Sequence, residues 1–363
     1  MSTDCQYLYG VVPAAGAKEF GPIGLGGQAV HTVVDGELGI VAGPAERLCF
    51  ASIAPGRTLQ YLAQHQRVLE KVMVDSSVIP LKFGTYAADD TEVREVLRSG
   101  RQEFAGALAR YDGKIEIDLA AFWTDLPGVL ADIAHDQTVI ALKAQIARQS
   151  TVTLEQRIRL GQQVKTLLDA RRKQTAGELA AALRKNWPEV VVNPATDDSM
   201  IFNAAILTGR REQAELEEVI RQFDRRYENR IKVRYVGPLP PYSFATAEVK
   251  MLETDRLESA RRLLGLGESS SCAQAKSAYR RLLQELHPDR NPDAGAAERL
   301  KQCAAAYELI EEYALNVQHA FPADLKPAVL VKVRSLEDLR VGARACTRGP
   351  VLPAPDRLEA EAA

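Results

Sequence analysis

His287, Pro288 and Asp289 stand side by side in the last third of the chain. An imidazole and a carboxylate flank a ring that fixes φ, so a stiffened loop could present both polar groups without a large ordering cost. The preceding residues, from about Cys272 to Leu286, read as a helix carrying Lys276, Tyr279, Arg280 and Arg281. Its cations offer a strip to an acidic partner surface, a pairing that steers and orients association more than it adds affinity. Metal binding at His287 is a poor alternative, because no second His or Cys lies at ligand spacing. His31, His65, His135 and His319 are scattered. The five cysteines (Cys5, Cys49, Cys272, Cys303 and Cys346) form no closely spaced pair. That argues against a disulfide framework or a zinc knuckle and for reduced thiols. Asp89-Asp90 and Asp197-Asp198 are adjacent carboxylates in loop-like contexts, and they read as solvated turns. No Gly-x-Ser-x-Gly elbow, Walker loop or HExxH motif appears, so the expectation is a binding protein with no cofactor.

The elements that must position these residues can be placed coarsely. Residues 6–12 (QYLYGVV) read as a strand. The Gly-rich stretch around Gly21, Gly24, Gly26 and Gly27 lacks the context of a phosphate cradle and reads as a turn-rich loop. Residues 28–34 and 37–42 look like a strand pair turning at Asp35-Gly36. Residues 57–74 suit a helix with Leu59, Leu62, Gln66, Leu69 and Met73 near one stripe. Pro80 inside VIPLKFGTY (78–86) fits an edge strand or an irregular segment. Residues 91–110 read as one helix and 114–123 as a strand.

From about 127 to 186 the pattern is helical, with Leu154, Ile158, Gly161, Val164, Leu168, Thr175, Leu179 and Ala182 recurring mostly at 3–4 spacing. A helical hairpin packed on a sheet is preferred over a coiled-coil seam. Strands at 189–193 and 200–208, a helix at 210–228 and a strand at 231–237 follow. With the earlier strand at 114–123, that order is what a ferredoxin-like α+β sandwich shows. Residues 247–315 read as helices broken by two loops, and AVLVKV within 326–345 reads as a strand that either adds to a sheet edge or belongs to nothing.

The chain has 363 residues, 46 Lys+Arg against 48 Asp+Glu, and 46% apolar residues. At ~100–200 residues per domain this is two or three domains. The formal charge of −2 lacks the globally basic footprint of a nucleic-acid binder. No apolar run is long enough to span a membrane and no secretory leader is readable, so a cytoplasmic protein is expected. The last ~20 residues, rich in Pro, Glu and Ala, read as disordered.

Two resemblances add to this. Residues 263–310, with Leu264-Gly265 closing a short helix, the basic helix, His287-Pro288-Asp289, and a third helix with Leu300, Cys303, Tyr307 and Ile310, resemble a J-domain. The resemblance implies that Lys276, Tyr279, Arg280, Arg281, His287, Pro288 and Asp289 engage a DnaK-type chaperone. Glu285-Leu286 and Ser277 depart from the basic and aromatic residues usual there. YLYGVV (7–12), VIPLKFGTY (78–86), RIRLGQQVKTLLDARR (157–172) and VGPLPPYSF (236–244) together resemble the gas vesicle protein F/L family across about residues 6–249. Leu239 stands where that family typically has Trp. Gly237, Pro238, Pro240, Pro241, Tyr242 and Phe244 form a rigid turn that either plugs the domain core or presents a rim for partner binding.

The implied fold is α+β: an N-terminal α+β domain (1–125), a helical hairpin plus ferredoxin-like domain (126–250), a small all-α J-domain (255–318), and a strand-like segment with a tail (319–363). The implied role is a gas vesicle assembly protein that binds the hydrophobic shell subunit or other accessory proteins, with a J-like module recruiting a chaperone. A general J-domain co-chaperone with an N-terminal client-binding region, or a vesicle component with an inert J-fold, are the alternatives.

Overall fold

The computed structural model describes residues 4–14, 18–48, 53–149, 151–227, 230–286, 295–316, 320–321 and 328–335. They fold as two compact units, one drawn from described residues within 4–68, 81–108 and 247–334, the other from described residues within 69–80 and 109–246.

The first unit is organised by β1 (Asp4–Pro13), in which Tyr7, Leu8, Tyr9 and Val11 are almost wholly buried. Both faces are covered, which is why the segment is continuously apolar rather than alternating. Strands β2 (Glu19–Gly21), β3 (Val30–Asp35) and β4 (Leu38–Glu46) join it in the order β2-β3-β4-β1, all neighbours antiparallel. The ladder slips between Leu8 and Gly10. The expected hairpin turns at Gly36, whose φ of +65° suits glycine, and Arg98 and Arg101 both hold Asp35, at 2.9 and 2.7 Å.

Helix α1 (Pro55–Met73) buries His65, Val68, Leu69, Val72 and Met73. The expected stripe is shifted, because Leu59 is exposed. The segment 78–86 contributes only the two-residue strands β5 (Ile79–Pro80) and β6 (Tyr86–Ala87), the latter paired with β1. Residues 91–110 are two helices, not one: α2 (Asp90–Ser99), capped by the Asp89 carboxylate, and α3 (Arg101–Arg110). Gly100 separates them. A Cβ there would stand 2.6 Å from Phe104 and 2.7 Å from Val331.

The second unit opens with β7 (Lys114–Trp123), whose odd-numbered residues from Ile115 to Trp123 are buried. The helical region is three helices rather than a hairpin: α4 (Leu126–Ala134), α5 (Gln137–Ala147) and α6 (Leu154–Arg184). Then come β8 (Val190–Val192), β9 (Met200–Gly209), α7 (Gln213–Arg226) and β10 (Ile231–Leu239). The sheet order is β10-β7-β9-β8, every pair antiparallel. Numbered from β7, that is 4-1-3-2 over a β-α-β-β-α-β chain, the ferredoxin-like arrangement. Asp197 accepts hydrogen bonds from the Ser199 and Met200 amides in the β8–β9 turn, which accounts for one half of that carboxylate pair. Arg172 holds Asp198, the other half.

In the first unit again, residues expected as helix from 247 begin instead as strand β11 (Ala245–Leu252). Its partner is β14 (Ala328–Ser335), so the AVLVKV segment is a strand, paired with β11 in a two-stranded sheet. The Glu248 carboxylate on β11 bridges Lys82 (2.9 Å) and Arg334 (3.0 Å). Between these strands lie α8 (Thr254–Leu263), the short strand β12 (Ser270–Ser271), α9 (Cys272–Glu285), α10 (Ala296–Asn316) and the short strand β13 (Ala320–Phe321), which pairs with β12. Gly265 ends α8 with φ +66°; the Leu266 amide reaches back to Arg261 O and the Gly265 amide to Arg262 O, a Schellman close. Leu257, Leu264, Ala275, Cys303, Ile310 and Tyr313 form the core of this helical module, and Leu252 and Leu330 of the flanking strands are part of it. The expected disordered tail lies outside the described residues.

Candidate partner-binding sites

Helix α9 starts at a capping box in which Ser271 and Gln274 satisfy each other's backbone amides. Lys276, Arg280 and Arg281 are exposed along it. Arg281 stands 3.9 Å from Glu285, a pair worth little at that exposure. Tyr279 is placed differently: it is half-buried and its ring stacks on Tyr307 of α10 at 4.8 Å between centroids. It packs the module together instead of lying in the open strip. His287, Pro288 and Asp289 lie outside the described residues.

The turn after β10 is mostly internal. Pro240, Pro241 and Phe244 are buried, Tyr242 is half-buried and Pro238 is exposed. Gly237 has φ +158°, and a Cβ there would meet Ile117 Cδ1 at 2.5 Å and Glu116 O at 3.0 Å, so the strand crosses β7 too closely for a side chain. The Tyr111 hydroxyl donates to Phe244 O at 3.0 Å. Beneath the turn, the buried Glu116 carboxylate accepts from the Ser243 amide at 2.7 Å and its hydroxyl at 2.8 Å. Burial first, then the neighbouring Asp118, push the Glu116 carboxyl well above the usual carboxylate range, against the pull of the Ser243 bonds. Burial raises Asp118 as well, and its hydrogen bond with Glu116 offsets part of that. Desolvation, with Glu116 and Glu70 nearby, raises the Tyr242 hydroxyl.

Beside this turn is an open groove of about 290 Å³ lined by Met73, Val74, Val236 and Pro238, with Glu70 and Arg210 at its polar side. Val74 and Val236 are exposed, and β10 is an edge strand of its sheet. An apolar side chain or an added strand is the chemistry this geometry accepts.

The two N-terminal motifs converge in the first unit. Tyr7 and Tyr9 of YLYGVV and Phe83 of VIPLKFGTY stand 5.7, 5.5 and 5.7 Å from the His65 ring, and Tyr86 lies 5.1 Å from Tyr7. The Tyr7 hydroxyl shares a 2.9 Å hydrogen bond with His65 Nδ1 and accepts from the Gly84 amide. Burial pushes the imidazole down to about 3. His65 is therefore a core residue; its position on the α1 stripe beside Leu69 was the signal that could have found it. Among the described residues no group of acidic, His and Cys side chains suits a metal.

A family model described as gas vesicle synthesis protein GvpL/GvpF matches residues 6–246. The chain belongs to the GvpL/GvpF family. It is similar to gas vesicle protein F of Dolichospermum flosaquae, 25% identical over 248 residues that make up 66% of this chain and 96% of that one. The crystal structure of GvpF from Anabaena sp. PCC7120 has a like fold, with a TM-score of 0.56 at 21% identity over 66% of this chain and 97% of that one. Residues 262–314 match the DnaJ domain model, and DnaJ homolog subfamily C member 16 of Gallus gallus is 49% identical over 49 residues, 14% of this chain and 6% of that one. The GvpL/GvpF region ends within β11, and the DnaJ domain begins inside α8. No described helix is long and apolar enough to cross a membrane.

Proposed function

We propose that this protein works in gas vesicle assembly by binding, not catalysis. It holds the hydrophobic shell subunit, or an accessory partner of it, and brings a DnaK-type chaperone to the same place. The observation that carries the reading is the presence of a GvpL/GvpF region and a packed DnaJ module on one chain. A shell subunit exposes apolar surface before it is assembled and aggregates unless that surface is held. In this reading the N-terminal module stops short of β7, which is counted with the ferredoxin-like module, and the helical module is 255–318. The protein is cytoplasmic and associated with vesicles. Lys276, Arg280 and Arg281 steer the chaperone, His287, Pro288 and Asp289 engage it, and the exposed Val236 and Pro238 of the groove meet the client.

The test is deletion of the gene followed by rescue with the full chain or with His287→Gln, scored for intact vesicles, alongside the ATPase of purified DnaK with each protein. Loss of both vesicle yield and ATPase stimulation in the variant is expected. Normal vesicles without stimulation point to a vesicle component with an inert J-fold. Stimulation with no vesicle defect on gene deletion points to a general co-chaperone.

A further inference from the structure

Helix α6 has 31 residues, roughly 45 Å at 1.5 Å per residue. One stripe of it, Leu154, Ile158, Gly161, Lys165, Leu168, Arg172, Thr175 and Leu179, repeats at alternating steps of four and three, the 3.5-residue period of a helix-pairing seam. The stripe changes character halfway. Leu168, Thr175 and Leu179 are buried within their own unit. Leu154 is 73% exposed and Ile158 51%, and a Cβ built on Gly161 would meet nothing within 4 Å. The α4–α5 pair does not cover this half: it packs on α6 through Leu160, Val164, Leu167 and Leu168 around Ile133 and Val139. Ile140 of α5, 50% exposed, adds to the apolar surface next to α6, where Gln163 donates to Thr138 at 3.0 Å.

The charges around this half are one-sided. Residues 136–169 carry Lys143, Arg148, Arg157, Arg159 and Lys165 against Asp136, Glu155 and Asp169, of which Asp136 caps α5 and Asp169 is held by Arg172, in a chain whose total charge is −2. All five cations are exposed, and none makes an ion pair with a described residue.

We infer that the N-terminal half of α6 is a docking face for a partner helix, amphipathic, with an apolar heptad seam and Asp or Glu flanking it. A seam that is already an interface along one half of a helix continues as one along the other. Lys165 on the seam and Arg157 beside it select the sign of the charges the partner presents to them, as charges at a coiled-coil seam do. This face is separate from the groove at Val236 and Pro238 and does not depend on the vesicle reading.

The test uses the full chain and a designed peptide of three heptads, Leu and Ile on the seam and Glu at the flanks, with a Lys-flanked twin. The Glu-flanked peptide is expected to bind, more weakly as salt rises, and about tenfold or more tighter than its twin. Leu154→Asp with Ile158→Asp should weaken it by a similar factor with the melting temperature unchanged. Arg157→Glu with Lys165→Glu should turn the preference toward the Lys-flanked twin, an outcome a misfolded chain cannot give. The inference is overturned by any of three results: equal binding of the twins, binding indifferent to the Leu154 and Ile158 changes, or a seam-dependent dimer of the chain itself. Seam-dependent capture of anionic phospholipid vesicles without peptide binding also overturns it, in favour of a membrane surface.

Discussion

The rings of Tyr279 and Tyr307 lie 4.8 Å apart and 9° from parallel, one on α9 and one on α10. The Tyr307 hydroxyl donates to Glu311 at 2.7 Å, and that carboxylate, with some burial, pushes the hydroxyl up to about 12. The stack joins the two helices on either side of the segment that carries His287. Tyr279→Ala should cost the helical module about 1–2 kcal/mol, and Tyr279→Phe much less. Hydrogen exchange of α9 and α10 amides in the full chain reads the difference.

The exposed cations of α9 should behave in the opposite way. Lys276→Ala with Arg280→Ala is expected to leave stability within about 0.5 kcal/mol. It should slow association with DnaK and flatten its salt dependence, as measured by surface-based kinetics at several ionic strengths.

Leu330 on β14 belongs to the core of the helical module although it lies beyond the residues that match the DnaJ model. Leu330→Ala should destabilise that module by about 2 kcal/mol, seen as faster exchange in α8 and α10. A chain stopped after residue 318 should show the same change.

Glu116 is an acid whose proton is held more tightly in the folded chain than in the unfolded one. Its contribution to stability is complete at pH values below the ordinary carboxylate range. It is lost as pH rises toward the raised value. Glu116→Gln keeps an acceptor for the Ser243 amide and removes the titration. The fall in melting temperature between about pH 5 and about pH 8 should therefore be smaller in Glu116→Gln than in the parent.

His65 carries the opposite sign. Its folded value of about 3 lies below the ordinary 6.5, so the unfolded chain takes up the proton first and acid destabilises the first unit. The loss should reach about 2 kcal/mol at about pH 5. His65→Phe should remove that slope, measured by urea unfolding at each pH.

The ferredoxin-like sheet was legible because each of its strands alternates or ends at a clear turn, and the strand–helix order admits few topologies. The helical module was legible because capping residues, Gly265 and the apolar stripe all agree. What was missed came from neighbours far along the chain. Gly100 splits a helix where Val331 passes close by; a glycine just after Arg98 is itself a stop signal, but the close approach of Val331 has no local signature. Residues 247–252 are good helix formers, yet pairing with 328–335 makes them a strand, tertiary context overriding propensity. Glu116 and Asp118 alternate with Ile115 and Ile117, so they read as a solvent face; Ser243 of the following turn covers Glu116. Tyr279 was within reach, since it lies four residues after buried Ala275 and three before Leu282, on the edge of the packed stripe.

The pairing of β11 with β14 has a consequence for how a chaperone would be delivered. A module hung on one flexible linker searches a volume, and its usefulness is set by effective concentration and linker length. Here the chain enters the helical module from one strand and leaves by the neighbouring one, and Glu248 ties both Lys82 and Arg334 to that junction. A hydrogen-bonded pair of strands stands in place of the tether. What the bound chaperone would inherit is a bearing, a set direction of approach to the N-terminal sheet, rather than a radius of reach.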